Sequence, residues 1–175
     1  TSNPTQLYAA TKKSNEVIAA SYSKLYNINT IGLRFFTVYG PWGRPDMAPI
    51  KFTKNIIQGK SIEVFNRGKH SRDFTFVEDI VDGIFKIIKK KKKVSKNKIY
   101  NIGNGKKVSL IEFIKLIEKN LNKKAKKKFL PLQKGDVFKT HSSTKLLKKD
   151  YGYVSKTSIN NGVKKFINWY LSYYQ

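Results

Sequence analysis

The chain has no cysteine among its 175 residues. Disulfides and thiolate metal sites are therefore excluded. Histidine is nearly as scarce: His70 and His141 are the only two, far apart in sequence and without the clustering a zinc site requires. No apolar run approaches the roughly 20 residues of a membrane helix. No signal peptide is visible at the N-terminus, so a cytoplasmic location is the default expectation. Arginine is also sparse. Four residues, Arg34, Arg44, Arg67 and Arg72, stand against 32 lysines in a basic total of 36. A net charge of +25 invites a nucleic-acid reading. However, nucleic-acid sites favour the bidentate, stacking guanidinium. Here the charge is lysine, clustered in expected helix tails and loops such as Lys89–Lys93 and Lys123–Lys128. That pattern reads as a compositional bias, and no specific nucleic-acid partner is expected.

What is present supports a core: 39% of residues are hydrophobic and 13% aromatic. Asn3-Pro4 is a plausible helix start, with the helix running to about Tyr26. Thr30–Phe36 reads as a largely buried strand. Tyr39–Asp46 is a loop dense in turn residues. Pro49 opens a helix that Gly59 closes. Ser61–Phe65 and Arg72–Val77 read as strands. Glu78 to about Ile88 is an amphipathic helix with Ile80, Ile84, Ile87 and Ile88 on its apolar side. Lys98–Ile102 is a further strand. Ser109 and Glu112 form a capping box for a helix to about Leu121. Short strands are expected at Lys127–Leu130 and Val137–Thr140. Ser143 to about Lys149 and Ser158 to about Tyr173 are the last helices. This alternation of helix and strand is the pattern of an α/β fold.

The chemistry concentrates near the N-terminus. Tyr8 and Lys12 are four residues apart, which stacks a phenol and an ammonium on one helix face. Many amphipathic helices carry such a pair by chance, so the flanking motifs decide its meaning. Tyr8-Ala9-Ala10-Thr11-Lys12, Gly32-Leu33-Arg34-Phe35-Phe36-Thr37-Val38-Tyr39-Gly40-Pro41 and Arg72-Asp73-Phe74-Thr75-Phe76-Val77-Glu78-Asp79 together resemble the extended short-chain dehydrogenase/reductase family. Trp42-Gly43-Arg44-Pro45-Asp46-Met47 and Leu132-Gln133-Lys134-Gly135-Asp136-Val137 resemble the UDP-glucuronate 4-epimerases within it, as does Val163–Tyr170.

The resemblance implies a Rossmann-like α/β fold with NAD as cofactor, no metal, and a UDP-sugar as substrate. Tyr8 would be the base that takes the 4-hydroxyl proton as hydride leaves C4. Lys12 would bind the nicotinamide ribose and favour the phenolate. Phe35 and Val38 would border the nicotinamide. Arg44 and Arg72 would grip the acidic groups, with Arg72 on the diphosphate. Thr37 would face the uronate carboxylate, Phe65 the uracil, and Asp136 the nucleotide pocket. Physical chemistry agrees, since a diphosphate and a carboxylate both suit the planar fork of arginine. Arg34, inside a strand, reads as structural, Arg67 as solvated, and Trp169 and Tyr170 as packing. A phenolate at neutral pH needs roughly 4 kcal/mol of preference over the phenol. One ammonium about 4–6 Å away supplies roughly 3–4 kcal/mol at an effective dielectric near 20. Lys12 is barely sufficient alone.

Other parts of the family pattern are not in the chain. It has no Gly-x-x-Gly-x-x-Gly loop after a first strand, no later acidic residue for the adenosine ribose, and no Ser/Thr well upstream of Tyr8. The expectation is a C-terminal part of an epimerase. Residues 1–40 would be the remnant of the dinucleotide-binding lobe. Residues 41–175 would be the smaller substrate-binding lobe, with about 73–103 returning to the first. Its partners would be the N-terminal lobe and a second copy in a homodimer. Alternatives in the family are another UDP-sugar epimerase, a decarboxylase or a dehydratase. Outside it stand a non-catalytic nucleotide-sugar binder or dimerising remnant, and a basic RNA-associated protein.

Overall fold

The computed structural model describes residues 4, 6–90, 97–133 and 137–174. Helix α1 (Leu7–Leu25) leads into strand β1 (Thr30–Phe35) and strand β2 (Thr37–Tyr39). Next come α2 (Ala48–Ile57) and β3 (Ser61–Val64). The short strands β4 (Ser71–Arg72) and β5 (Phe74–Phe76) follow, then α3 (Val77–Lys89) and β6 (Asn97–Ile102). After them come β7 (Val108–Ser109), α4 (Leu110–Leu121) and β8 (Lys126–Phe129), and finally α5 (Lys145–Tyr151) and α6 (Ile159–Tyr174). Three strand pairs are parallel. β1 runs with β6 from Thr30 opposite Asn97 to Phe35 opposite Ile102, β2 with β5, and β3 with β8. The pair β4–β7 is antiparallel. Parallel pairing through helical crossovers is the α/β architecture the alternation implied.

Local chemistry sets the boundaries. The Ser109 hydroxyl accepts the Glu112 amide at 3.0 Å and starts α4. Pro49 sits in the first turn of α2. Asn122 and Gly152 adopt left-handed backbone to end α4 and α5. Four expectations are corrected. α1 begins at Leu7, because Gln6 is extended and no side chain caps the helix; Asn3 lies outside the described residues. The expected Arg72–Val77 strand breaks at Asp73, where the carboxylate collects amide and hydroxyl donors and splits the segment into β4 and β5. Val137–Thr140 makes only an isolated bridge, Lys139 to Ser71, and is laced to β4 by Ser71 N to Phe138 O and Thr140 N to Ser71 O. Ile88 is 72% exposed, so the buried stripe of α3 ends at Ile87.

Two apolar cores result. The larger joins α2, β3, β5, α4 and α6 around Phe74, Phe76, Phe113, Ile117, Val163 and Phe166. Phe74 stacks on Phe113 at 4.2 Å, and Tyr39 meets both rings edge-on. Burying side chains of this size contributes about 1.5–3 kcal/mol each. Gly162 lets α6 close on this core, because a Cβ there would collide with the Tyr39 hydroxyl. The smaller core puts Ile80, Tyr100, Ile102, Leu147 and Tyr153 beneath β1 and β6. α1 lies outside both. Its Leu7, Ile18, Tyr22 and Leu25 are more than half exposed.

Candidate active site

Tyr8 and Lys12 stand one turn apart at the start of α1, with the ammonium 5.5 Å from the phenol ring centroid. Both line a cleft of about 490 Å³ between α1 and the β1–β6 ladder. Gly32, Leu33, Arg34 and Phe35 all border it, so it runs along β1 rather than on one face. Phe35 is half exposed at the strand end, as an aromatic wall for a ligand requires. Arg34 does not face a ligand as a free cation. Its guanidinium donates to Glu16 at 2.6 and 2.9 Å, fastening β1 to α1. Arg34 holds the Glu16 carboxyl down at about 2, against the resistance of partial burial. The structural role read for Arg34 is what the fold shows.

Two other expected residues, Arg44 and Phe65, lie beyond that cleft. Arg44 projects from the loop between β2 and α2 and pairs with Asp46 through Nε and Nη2, one edge of its guanidinium. Asp46 raises the Arg44 pKa. Asp46 also borders a second recess of about 420 Å³, together with Phe65, Lys51 and Asn55. Arg44, through Asp46, is thus next to the recess that Phe65 lines.

Thr37 is half-buried, and its amide donates to the Asp73 carbonyl at 3.1 Å. Arg72 sits one residue before Asp73 and donates to the Phe138 carbonyl at 3.2 Å. Val38 is half-buried against the smaller core rather than in the cleft lining. Asp136 lies outside the described residues. Among the described residues, no cluster of acids and histidines could hold a metal, and no helix is long and apolar enough to cross a membrane.

Three features escaped the sequence reading. Asp73 is fully buried, and its carboxylate accepts from the Ser142 amide and hydroxyl, the Asn104 and Gly105 amides and the Thr75 hydroxyl. It thereby ties the 103–105 and 140–142 segments to the strand carrying Arg72. An acid inside an apolar run was the available signal. Asp79 similarly holds Ser155 and Thr157. Trp42 has a left-handed backbone, φ 61°, a conformation that costs a bulky residue about 1–3 kcal/mol. No sequence signal marks it.

A tyrosine–lysine pair beside a cleft along a parallel α/β ladder defines the Rossmann-like short-chain dehydrogenase/reductase class. Residues 1–103 match the model of the NAD dependent epimerase/dehydratase family, and the chain belongs to that family. A Methanocaldococcus jannaschii protein of uncharacterised function is 56% identical over 96% of this chain and 51% of its own length. UDP-glucuronate 4-epimerase 4 of Arabidopsis thaliana is 43% identical over 99% of this chain and 43% of its own. The crystal structure of UDP-glucuronic acid 4-epimerase from Bacillus cereus, in complex with UDP-glucuronic acid and NAD, superposes with a TM-score of 0.90 at 30% identity. It covers 94% of this chain and 52% of that one. The chain spans about half the length of the relatives it matches. NAD is the family's cofactor, and the residues present fit its nicotinamide-ribose end: a hydroxyl, an ammonium and an exposed aromatic ring share one cleft. The cleft's lining contains no glycine-rich loop for a pyrophosphate.

Proposed function

We propose that this chain is the substrate-binding part, with the acid/base pair, of an NAD-dependent nucleotide-sugar 4-epimerase that interconverts UDP-glucuronate and UDP-galacturonate. The observation that carries the reading is the Tyr8–Lys12 pair on the β1 cleft. NAD, when bound, supplies reversible hydride acceptance. The phenol of Tyr8 is placed to hold the proton of the sugar 4-hydroxyl. Lys12 stabilises the phenolate electrostatically and offers donors to a ribose. Arg44 offers a planar fork for the uronate carboxylate and Arg72 one for the diphosphate. Thr37 adds a hydroxyl beside the sugar, Phe65 a ring for the uracil, and Asp136 a carboxylate in the nucleotide pocket. Phe35 and Val38 offer strand-end backbone beside the nicotinamide, the Val38 side chain being turned to the smaller core. On this reading residues 1–40 belong with a dinucleotide-binding lobe, and the working enzyme is a homodimer.

The test is conversion of UDP-glucuronate with added NAD, followed by anion-exchange chromatography, in the chain and in a protein that joins it to a family dinucleotide-binding segment. The expected result is UDP-galacturonate from the joined protein, abolished by Tyr8→Phe while UDP-sugar binding persists. A joined, folded protein that binds UDP-glucose more tightly than UDP-glucuronate and converts only the former would overturn the uronate assignment. One that binds UDP-sugars and converts none would make the chain a binding module.

A further inference from the structure

Trp42 lies two residues before Arg44, in the loop joining β2 to α2. Its φ of 61° is in the left-handed region, where a bulky side chain is a genuine outlier. Its side chain is 73% exposed, so the contact it makes removes little area from water and adds little to the core. The ring is nevertheless firmly seated. It meets Tyr173 edge-on at 4.8 Å and Trp169 at 5.5 Å. Trp169 and Tyr173 stack on each other at 15°. Both belong to α6, which Val163, Phe166 and Ile167 anchor in the larger core, with Trp169 packed at its edge.

A strained backbone persists where the surroundings over-determine it, and such outliers gather at ligand clamps. Here the strain aims an indole at the rigid helix. The Met47 amide bonds the Arg44 carbonyl at 3.1 Å, and the Arg44 side chain bonds Asp46. The loop is fixed at its two ends, where Gly40 packs on Phe76 and Val77 and the Met47 carbonyl accepts the Lys51 amide of α2. Between those ends, the aromatic seat ties the segment before Arg44 to α6.

We propose that Trp42 is a positioning residue for acidic-sugar recognition: seated on Trp169 and Tyr173, it holds the middle of the 40–47 loop, from which Arg44 projects. This rests on the nucleotide-sugar reading above, and Arg44 remains the group that touches the carboxylate. Loss of the seat frees the loop, so it penalises a uronate and spares a neutral sugar.

Two measurements separate this proposal from the reading beneath it. The first is calorimetric affinity for UDP-glucuronate and UDP-glucose. Trp42→Ala and Tyr173→Ala should each weaken UDP-glucuronate about tenfold and change UDP-glucose less than about twofold. Trp42→Phe should restore the preference, and Arg44→Ala combined with Trp42→Ala should lose little more than either alone. The second needs no ligand: amide hydrogen exchange at Met47, expected about tenfold faster in Trp42→Ala and Tyr173→Ala. Unchanged exchange, or equal weakening of both sugars in the folded variants, overturns the proposal. If the wild-type chain binds neither sugar while Met47 exchange still depends on Trp42, the function reading falls and the seat stands. The chain's two tryptophans, Trp42 and Trp169, both lie in this cluster. Intrinsic emission therefore reports its integrity in every Tyr173 variant.

Discussion

Glu16 shows how the few acids of a strongly basic chain are used. Its carboxylate accepts from Nε and Nη2 of Arg34 and from the Lys13 ammonium at 2.9 Å. Asp150 does the same for Lys98 and the Tyr100 hydroxyl, and Glu118 for Lys127 and the Ala125 amide. Because the Glu16 pKa is lowered from 4.5 to about 2 on folding, its contribution is fully present above pH 4.5 and is lost as pH falls toward 2. Glu16→Gln should flatten that acid limb, measured as thermal midpoint against pH. It should also cost about 1–2 kcal/mol at pH 7 by leaving a half-buried guanidinium underpartnered. A variant whose midpoint falls as steeply as the wild type below pH 4.5 would refute this role. These pairings were only partly legible. Arg34 could be read as structural because it sits in a strand. The acids of Asp73 and Asp79 gave no hint of their partners, which come from 65 or more residues away for Ser142 and Ser155. Nothing local encodes such a meeting.

Among elements, α6 does the most. Its Val163, Phe166, Ile167 and Tyr170 complete the larger core, and its outer aromatics carry Trp42. The helix lies close because position 162 is glycine. Gly162→Ala should destabilise the chain by about 1–3 kcal/mol through collision with the Tyr39 ring. Tyr39→Phe, which removes the colliding hydroxyl, should recover part of that loss in a double-mutant cycle of chemical denaturation; strict additivity would disprove the collision. Ile117→Ala, a fully buried truncation between α4 and α6, should cost about 2–5 kcal/mol with unchanged far-UV dichroism. The existence of α4 and α6 was written in their periodicity, and the start of α4 in Ser109 and Glu112. The split between β4 and β5 was not, because it depends on the donors that gather on Asp73.

Across the whole molecule, the two cores leave α1 and one side of α3 bare. Ile18, Tyr22, Leu25 and Tyr26 on α1, and Val81, Phe85 and Ile88 on α3, are all more than half exposed. Contiguous apolar surface of this kind promotes association. The chain should therefore scatter light or sediment heterogeneously at low salt. Tyr22→Lys with Leu25→Glu should reduce that association without lowering the thermal midpoint, and an unchanged sedimentation profile would exclude α1 as the contact. The motif around Tyr8 and Lys12 revealed the family. The recess shared by Asp46 and Phe65 required the fold, because a loop, a helix and a strand end bring its members together.

The closure of α6 over Tyr39 also governs how this chain meets the ribosome. Tyr39 and Val163, which share one core, are 124 positions apart. At synthesis rates of about 5–20 residues per second, roughly 6 to 25 seconds separate their emergence. Phe74 and Phe76 await their lid for the last 89 and 87 of those positions, and Phe113 for the last 50. Nascent chains of this protein are thus clients for holding chaperones until translation passes α6, and slowing elongation before Ser158 prolongs that dependence.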